Sequence, residues 1–158
     1  MIIVACGVGC KDRGDDGFGP YVIEHLRDQK SIRKIDCGLY PENYLNKIIA
    51  LAPDLVIFFD TVVSDRKRTV ILRNEEIVER SPVSVTTHSL SFGAMYEFLH
   101  ANGVNNIFLL GVPVLSYEVF SREIRDTADR VITILNNIDK HRDFSIINLY
   151  EALSEQIR

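Results

Sequence analysis

Three polar side chains occupy positions where an α/β protein usually carries its chemistry. Asp16 follows the apolar run 2–6 across a glycine-containing loop, Asp60 closes the apolar run 55–59, and His88 lies between a strand-like segment and the next helical pattern. Ligands of open α/β sheets bind outside the carboxyl ends of the strands, so we expect the three side chains to meet at one edge of a sheet. Two carboxylates and one imidazole leave coordination positions open on a divalent transition ion. The combination predicts a catalytic or recognition site that involves a metal.

Each of the three residues also has a purely structural interpretation. Asp16 could stabilise a helix N-terminus, Asp60 could lie in a turn after a strand, and His88 could be a hydrogen-bonded loop residue. The residue types alone leave these interpretations open.

The elements that must position these side chains follow from the hydrophobic pattern. Apolar runs bounded by polar or glycine-containing segments predict strands at 2–6, 32–37, 55–59, 69–72 and 107–112. Apolar residues at helical spacing predict helices at 18–26, 41–51, 89–101, 121–137 and 146–157. Pro41 suits the first turn of the second helix, and Asn102 with Gly103 ends the third. The short run 69–72 follows a charged turn and is expected at an edge of the sheet.

Strands that alternate with helices predict one α/β domain over residues 1–158. We expect a three-layer sandwich in which a mostly parallel, twisted sheet of about five strands is flanked by helices on both faces. A chain of 158 residues with 46% apolar content can bury a continuous core.

Composition excludes several classes of partner. A formal net charge of -4 and a pI near 5.5 provide no basic surplus for nucleic-acid binding. The sequence has no long apolar stretch for membrane insertion and no leader pattern at its start, which predicts a cytoplasmic protein. Its three cysteines are too few for a disulfide framework and are expected to be reduced thiols.

Other chemical patterns are weaker. Glycines between the first strand and the first helix suggest a phosphate-binding loop, but no Gly-Lys-Ser/Thr follows, and Asp15 and Asp16 would repel phosphate. The cysteine spacing matches no strong zinc pattern. A serine triad lacks a Gly-x-Ser-x-Gly elbow. A nucleotide-binding module is therefore a weaker hypothesis than a metal site.

Four segments, taken in order, resemble a known family. They are GVGCKDRGDDGFGP at 7–20, DCGLYPEN at 36–43, FDT at 59–61 and TTHSL at 86–90. This arrangement resembles the NiFe-hydrogenase maturation endopeptidases, especially those of the formate hydrogenlyase (hydrogenase 3) type. The resemblance extends through Gly111-Val112-Pro113 and so covers most of the chain.

The resemblance implies an endopeptidase that removes the C-terminal extension of a NiFe-hydrogenase large-subunit precursor after nickel insertion. Asp16, Asp60 and His88 match the residues that contact nickel in this family. The nickel would arrive with the precursor rather than stay bound as a resident cofactor, and Asp15 is a candidate base. The size and the resemblance imply a monomer.

The resemblance also implies a substrate-recognition segment after the second strand. It assigns this role to Asp36, Cys37, Gly38, Glu42 and Asn43.

Two positions depart from the family pattern. Cys10 replaces the usual asparagine and introduces a thiol near the predicted metal, and Cys37 replaces one glycine of a Gly-Gly pair. Since a residue with a side chain tolerates positive φ poorly, Cys37 is expected to restrict the recognition loop. A non-cleaving, nickel-dependent chaperone or scaffold for the precursor would use the same ligands, and a small-molecule enzyme on a similar sheet is a third possibility.

Overall fold

The protein folds around a mostly parallel β-sheet. The structure, a computed structural model, describes residues 1–63, 67–80, 83–84 and 90–157. Its strands are β1 (Ile3–Val8), β2 (Ile32–Gly38), β3 (Leu55–Val63), β4 (Val70–Arg73), β5 (Val83–Ser84) and β6 (Ile107–Val112). The order across the sheet is β2-β1-β3-β6-β4, and the two-residue β5 pairs with the end of β3.

Pairing directions place the carboxyl ends of four strands at one edge of the sheet. β1 is parallel to β2 and β3, and β3 is parallel to β6. β4 runs antiparallel to β6 and forms an edge, as the sequence predicts. The loops that follow β1, β2, β3 and β6 therefore leave the sheet on the same side, which we call the carboxyl edge.

Helices cover both faces of the sheet. They are α1 (Phe18–His25), α2 (Leu45–Ala50), α3 (Glu75–Arg80), α4 (Phe92–Ala101), α5 (Arg122–Asn136) and α6 (Ile146–Ile157). One buried cluster joins the sheet to α1, α5 and α6, and a second joins its other face to α2, α3 and α4. The predicted three-layer α/β sandwich is confirmed. None of the described helices is long and apolar enough to cross a membrane.

Glycines let α1 lie directly on the sheet. A Cβ atom added at Gly19 would collide with backbone atoms of Val8 and Phe59, and one added at Gly7 would collide with the backbone of Gly19. Because α1 follows directly on the turn that contains Asp16, this close approach fixes that turn over the ends of β1 and β3.

The main difference from the sequence prediction is the length of β3. The apolar run suggests a strand that ends before Asp60, but β3 continues to Val63. The extension arises because Asp60 and Thr61 pair with Gly111 and Val112 of β6, and Val62 and Val63 pair with β5.

Two short elements, α3 and β5, are absent from the sequence prediction. The third predicted helix begins later than expected, at Phe92, where the Ser91 side chain accepts a hydrogen bond of 3.1 Å from the Ala94 amide. His88 and Ser89 lie outside the described residues.

Candidate active site

The site is built around Thr61, which contacts the two predicted carboxylates. Its hydroxyl group donates a hydrogen bond of 2.7 Å to Oδ1 of Asp16, and its backbone amide donates one of 2.7 Å to Oδ1 of Asp60. All three residues are fully buried. The structure therefore brings Asp16 and Asp60 together at the carboxyl edge, as their positions in the sequence predict.

Asp16 is held from the β1 side as well. The backbone amide of Cys10 donates a hydrogen bond of 3.1 Å to its Oδ2 atom, so both carboxylate oxygens have an oriented donor. Gly9 makes this geometry accessible, because it has a φ of +132° and a Cβ atom at this position would collide with the Asp16 carbonyl oxygen. The glycine loop after β1 thus directs the Cys10 amide at the Asp16 carboxylate.

The predicted third ligand is His88. His88 lies outside the described residues, so its position beside the two carboxylates stays a prediction. Within residues 1–63, 67–80 and 90–157, no group of three or more His, Cys, Asp or Glu side chains could hold a metal ion. The two carboxylates therefore form at most part of a coordination shell.

Asp15 fixes a loop that lies 100 to 106 residues later in the sequence. Its carboxylate accepts hydrogen bonds from the amides of Leu115 at 2.8 Å, Ser116 at 2.9 Å and Ser121 at 2.6 Å, and from the Ser121 hydroxyl at 2.8 Å. Its own amide donates to the Ser116 carbonyl at 2.9 Å. A carboxylate has about four lone-pair positions that accept hydrogen bonds, so these four donors match its accepting capacity. The geometry therefore supports a structural clamp, and a role for Asp15 as a base stays a prediction.

The recognition segment begins where β2 ends and is joined to the site loop. The Gly9 amide donates a hydrogen bond of 2.9 Å to the Gly38 carbonyl, and the Gly38 amide donates one of 3.1 Å to Oδ1 of Asp36. Asp36 and Asn43 are exposed and Glu42 is half-buried. These side chains are placed where an incoming chain could contact them.

Cys37 has a different environment from the one expected. Its side chain is buried in the core, so only its backbone is available to a substrate. The positive φ of this loop, +54°, belongs to Gly38, and Cys37 is not among the positive-φ residues. The expected restriction of the loop by Cys37 is therefore absent, because the side chain turns inward at an ordinary backbone conformation.

The Cys37 thiol lies beside the thiol of Cys6 on the neighbouring strand. Burial raises the pKa of Cys6 well above its ordinary value, and the hydrogen bond with Cys37 raises it further. Both thiols are buried in the core. Cys10, which is partly exposed, is the thiol nearest to the site loop.

Thr61 is the site residue that sequence reasoning does not single out. It directly follows Asp60 in an FDT segment, and a small hydroxyl residue beside an acid at a strand end is the available signal. Its role depends on the hydrogen bond to Asp16, which lies 45 residues away in the sequence. A local sequence pattern cannot reveal such a contact.

Comparison with known proteins places the chain in a family. The family model described as HycI, hydrogenase maturation protease, matches residues 20–138. This range contains Asp60 and His88 and starts just after Asp16.

Solved structures and a curated relative agree with that match. The HycI hydrogenase maturation protease of Thermococcus kodakarensis has 29% identity and a TM-score of 0.72, and the match covers 89% of this chain and 93% of that one. The hydrogenase-maturating endopeptidase HybD of Escherichia coli shares the fold, with 20% identity, a TM-score of 0.71 and coverage of 89% and 93%. A Methanocaldococcus jannaschii protein, provisionally assigned as a hydrogenase maturation protease, is 22% identical over 150 residues, covering 86% of this chain and 87% of its own.

The family match spans most of the chain, and the solved structures share its sheet and helices. The chain belongs to the hydrogenase maturation protease family.

Proposed function

We propose that this protein is the endopeptidase that removes the C-terminal extension of a NiFe-hydrogenase large-subunit precursor after nickel insertion. The observation that carries the proposal is the pair of buried carboxylates, Asp16 and Asp60, held by one threonine at the carboxyl edge. This edge is where α/β proteins bind their ligands. Membership of a peptidase family supports the hydrolytic reaction.

The nickel in this proposal is part of the substrate. Carboxylate oxygens and an imidazole suit a divalent transition ion, so Asp16, Asp60 and His88 would complete the coordination of an ion that the precursor already holds. Cleavage would then depend on prior metal loading.

The chemistry follows from the position of the ion. A Lewis-acidic ion bound to the precursor can polarise the scissile carbonyl group or lower the pKa of a bound water. Asp16 and Asp60 would orient the ion, and through it the peptide segment to be cut. Because their carboxylates have no exposed surface, neighbouring groups must move aside when the precursor binds.

The recognition segment also favours a substrate peptide that lies next to Asp16. Asp36 and Asn43 are exposed, and the Gly38 carbonyl is tied to the Gly9 amide of the site loop. A peptide that contacts this segment therefore lies next to Asp16. We propose that Asp36, Glu42, Asn43 and the backbone at Cys37 and Gly38 contact the precursor near the scissile bond.

The decisive experiment is mass spectrometry of a large-subunit precursor after incubation with the protein. Parallel samples would contain the nickel-loaded and the nickel-free precursor. Loss of a C-terminal peptide from the loaded form alone is the expected result. A complex that forms without any cleavage would overturn the peptidase proposal and identify a non-cleaving chaperone.

Single substitutions test the ligand assignment. His88→Ala and Asp60→Asn are expected to abolish processing while the thermal unfolding transition is retained. His141→Ala is the matched control, since His141 is exposed and outside the site. Normal processing by the His88→Ala protein would refute the role of His88.

A further inference from the structure

Exposed apolar side chains concentrate at one end of the molecule. Nine large hydrophobic residues are exposed among the described residues. Six of them lie at or after the carboxyl ends of β2, β3 and β6, or just before α4, the helix that leads back to β6. The six are Tyr40, Val63, Leu90, Leu115, Tyr117 and Val119. Single exposed apolar residues are ordinary, but a concentration around a site indicates an interaction surface.

Three of the six lie in one loop, residues 113–121, which we call the apolar loop. Leu115, Tyr117 and Val119 are 43%, 52% and 64% exposed and alternate along the chain. An exposed loop usually carries polar residues, because exposed apolar surface costs roughly 25 cal/mol per Å² relative to its burial. The composition of this loop is therefore unfavourable in the isolated protein.

The apolar loop is rigidly attached to the site. The Asp15 carboxylate binds both ends of the 115–121 stretch through four hydrogen bonds. Gly14, with a φ of +56°, has no room for a Cβ atom because the backbone of Ser116 and Tyr117 lies against it. The Arg13 guanidinium group lies 5.7 Å from the centre of the Tyr117 ring. The backbone is thus fixed in place while the apolar side chains remain outside.

A fixed apolar surface loses little conformational entropy when it binds a partner. Preorganisation of this kind strengthens association, and tyrosine is a common contributor to binding energy at protein interfaces. The clamp residue Asp15 directly precedes Asp16 in the chain. The apolar loop is therefore hydrogen-bonded to the residue next to the site carboxylate.

We propose that Leu115, Tyr117 and Val119 form the docking surface for an apolar face of the large-subunit precursor beside its scissile segment. This inference rests on the proposed function. A folded substrate whose scissile peptide bond reaches Asp16 and Asp60 must cover the surrounding carboxyl edge. The part of the substrate that covers the exposed apolar residues of this edge should itself be apolar. The loop adds binding energy at a distance from the reacting bond.

The test compares serine substitutions on and off this surface. The variant Leu115→Ser/Tyr117→Ser/Val119→Ser is expected to raise KM for the nickel-loaded precursor by about tenfold or more, with little change in kcat. The control is Ile147→Ser on α6, because Ile147 is 63% exposed and matches Val119. If the triple variant is unstable, Val119→Ser alone replaces it in the KM measurement, because Val119 is the most exposed of the three side chains.

The outcomes separate this inference from the proposed function. A wild-type protein that cleaves no precursor overturns the proposed function. A wild-type protein that cleaves, with an unchanged KM in both loop variants, overturns the docking surface alone. Sedimentation as a dimer that the serine substitutions dissociate, again with an unchanged KM, would make the loop a self-association surface and would also overturn the inference.

Discussion

The hydroxyl group of Thr61 donates a hydrogen bond of 2.7 Å to Oδ1 of Asp16, across 45 residues of sequence. The amide of the same residue binds Asp60, so one residue sets the relative orientation of two acids on different elements. Groups that orient metal-binding side chains are often as important for activity as the ligands themselves. Thr61 is therefore a positioning residue for the proposed reaction.

Replacing the Thr61 hydroxyl group should impair processing. Thr61→Val keeps the shape of the side chain but removes the hydrogen bond to Asp16, and we expect kcat/KM to fall roughly 10- to 100-fold. Thr61→Ser keeps the hydroxyl group and should restore most of the activity. Steady-state cleavage of nickel-loaded precursor provides the measurement.

A second buried threonine provides the control for stability. Thr127 lies in α5 and its hydroxyl group donates to the Glu123 carbonyl at 3.0 Å. Thr127→Val should lose a similar free energy of unfolding, on the order of 1 kcal/mol, without the loss of activity. Equal activity losses in the two variants would show that Thr61 acts only through stability.

Asp15→Asn should destabilise the protein. In either orientation the carboxamide turns its NH₂ group toward a donor, which leaves either the Ser121 amide or the Leu115 and Ser116 amides unsatisfied. We expect the free energy of unfolding to fall by about 3 kcal/mol, measured by urea denaturation, and chymotrypsin to cut more readily after Leu115 or Tyr117. Asp129→Asn, at an exposed acid that accepts from the Tyr21 hydroxyl, should change stability by less than about 1 kcal/mol.

The same variant distinguishes the clamp from a catalytic base. A base role predicts an Asp15→Asn protein of normal stability with no cleavage. Such a result would contradict the structural role assigned to Asp15.

The three thiols should differ in reactivity. Cys6 has a raised pKa because it is buried beside Cys37, so little thiolate forms at mildly alkaline pH, and the Cys37 thiol is itself buried. Cys10 is partly exposed. Alkylation of the native protein near pH 8 should therefore modify one cysteine, Cys10, and unfolding should expose the other two. Peptide mass spectrometry identifies the modified position, and rapid native labelling of Cys6 would refute the burial argument.

Gly19→Ala should weaken the attachment of α1 to the sheet. The added Cβ atom meets backbone atoms of Val8 and Phe59, which cannot rotate away. The expected loss is about 1 to 3 kcal/mol in thermal or urea unfolding, although alanine favours a helix over glycine. At Gly17 the nearest atom to an added Cβ is 3.4 Å away, so Gly17→Ala is the matched control. Similar stabilities of the two variants would show that α1 can shift on the sheet.

Periodicity was sufficient to predict most of the fold. The apolar run of β6 and the helical stripe of α5 lead directly to buried elements, because a sheet covered on both faces requires them. β3 was predicted too short, since Asp60 and Thr61 interrupt its apolar pattern while pairing with β6 still continues through them. Short elements such as β5 depend on tertiary pairing and have no periodic signal of their own.

The sequence predicts where the two site acids meet but not which residues hold them. Asp16 and Asp60 could be placed from the rule that strand ends meet at one edge, and the structure brings them together. The roles of Thr61 and Asp15 depend on contacts across 45 to 106 residues, which no local motif encodes. The sequence names both acids, but hydrogen bonds from distant residues determine where each carboxylate is held.

The clamp at Asp15 also affects the protein while it is being synthesised. Its hydrogen-bond partners end at Ser121, 106 residues after Asp15, and ribosomes add roughly 5 to 20 residues per second. For about 5 to 20 s the growing chain therefore contains Asp16 and has no anchor for the loop beside it. A product truncated before Leu115 would keep both acids but lack every donor of the clamp.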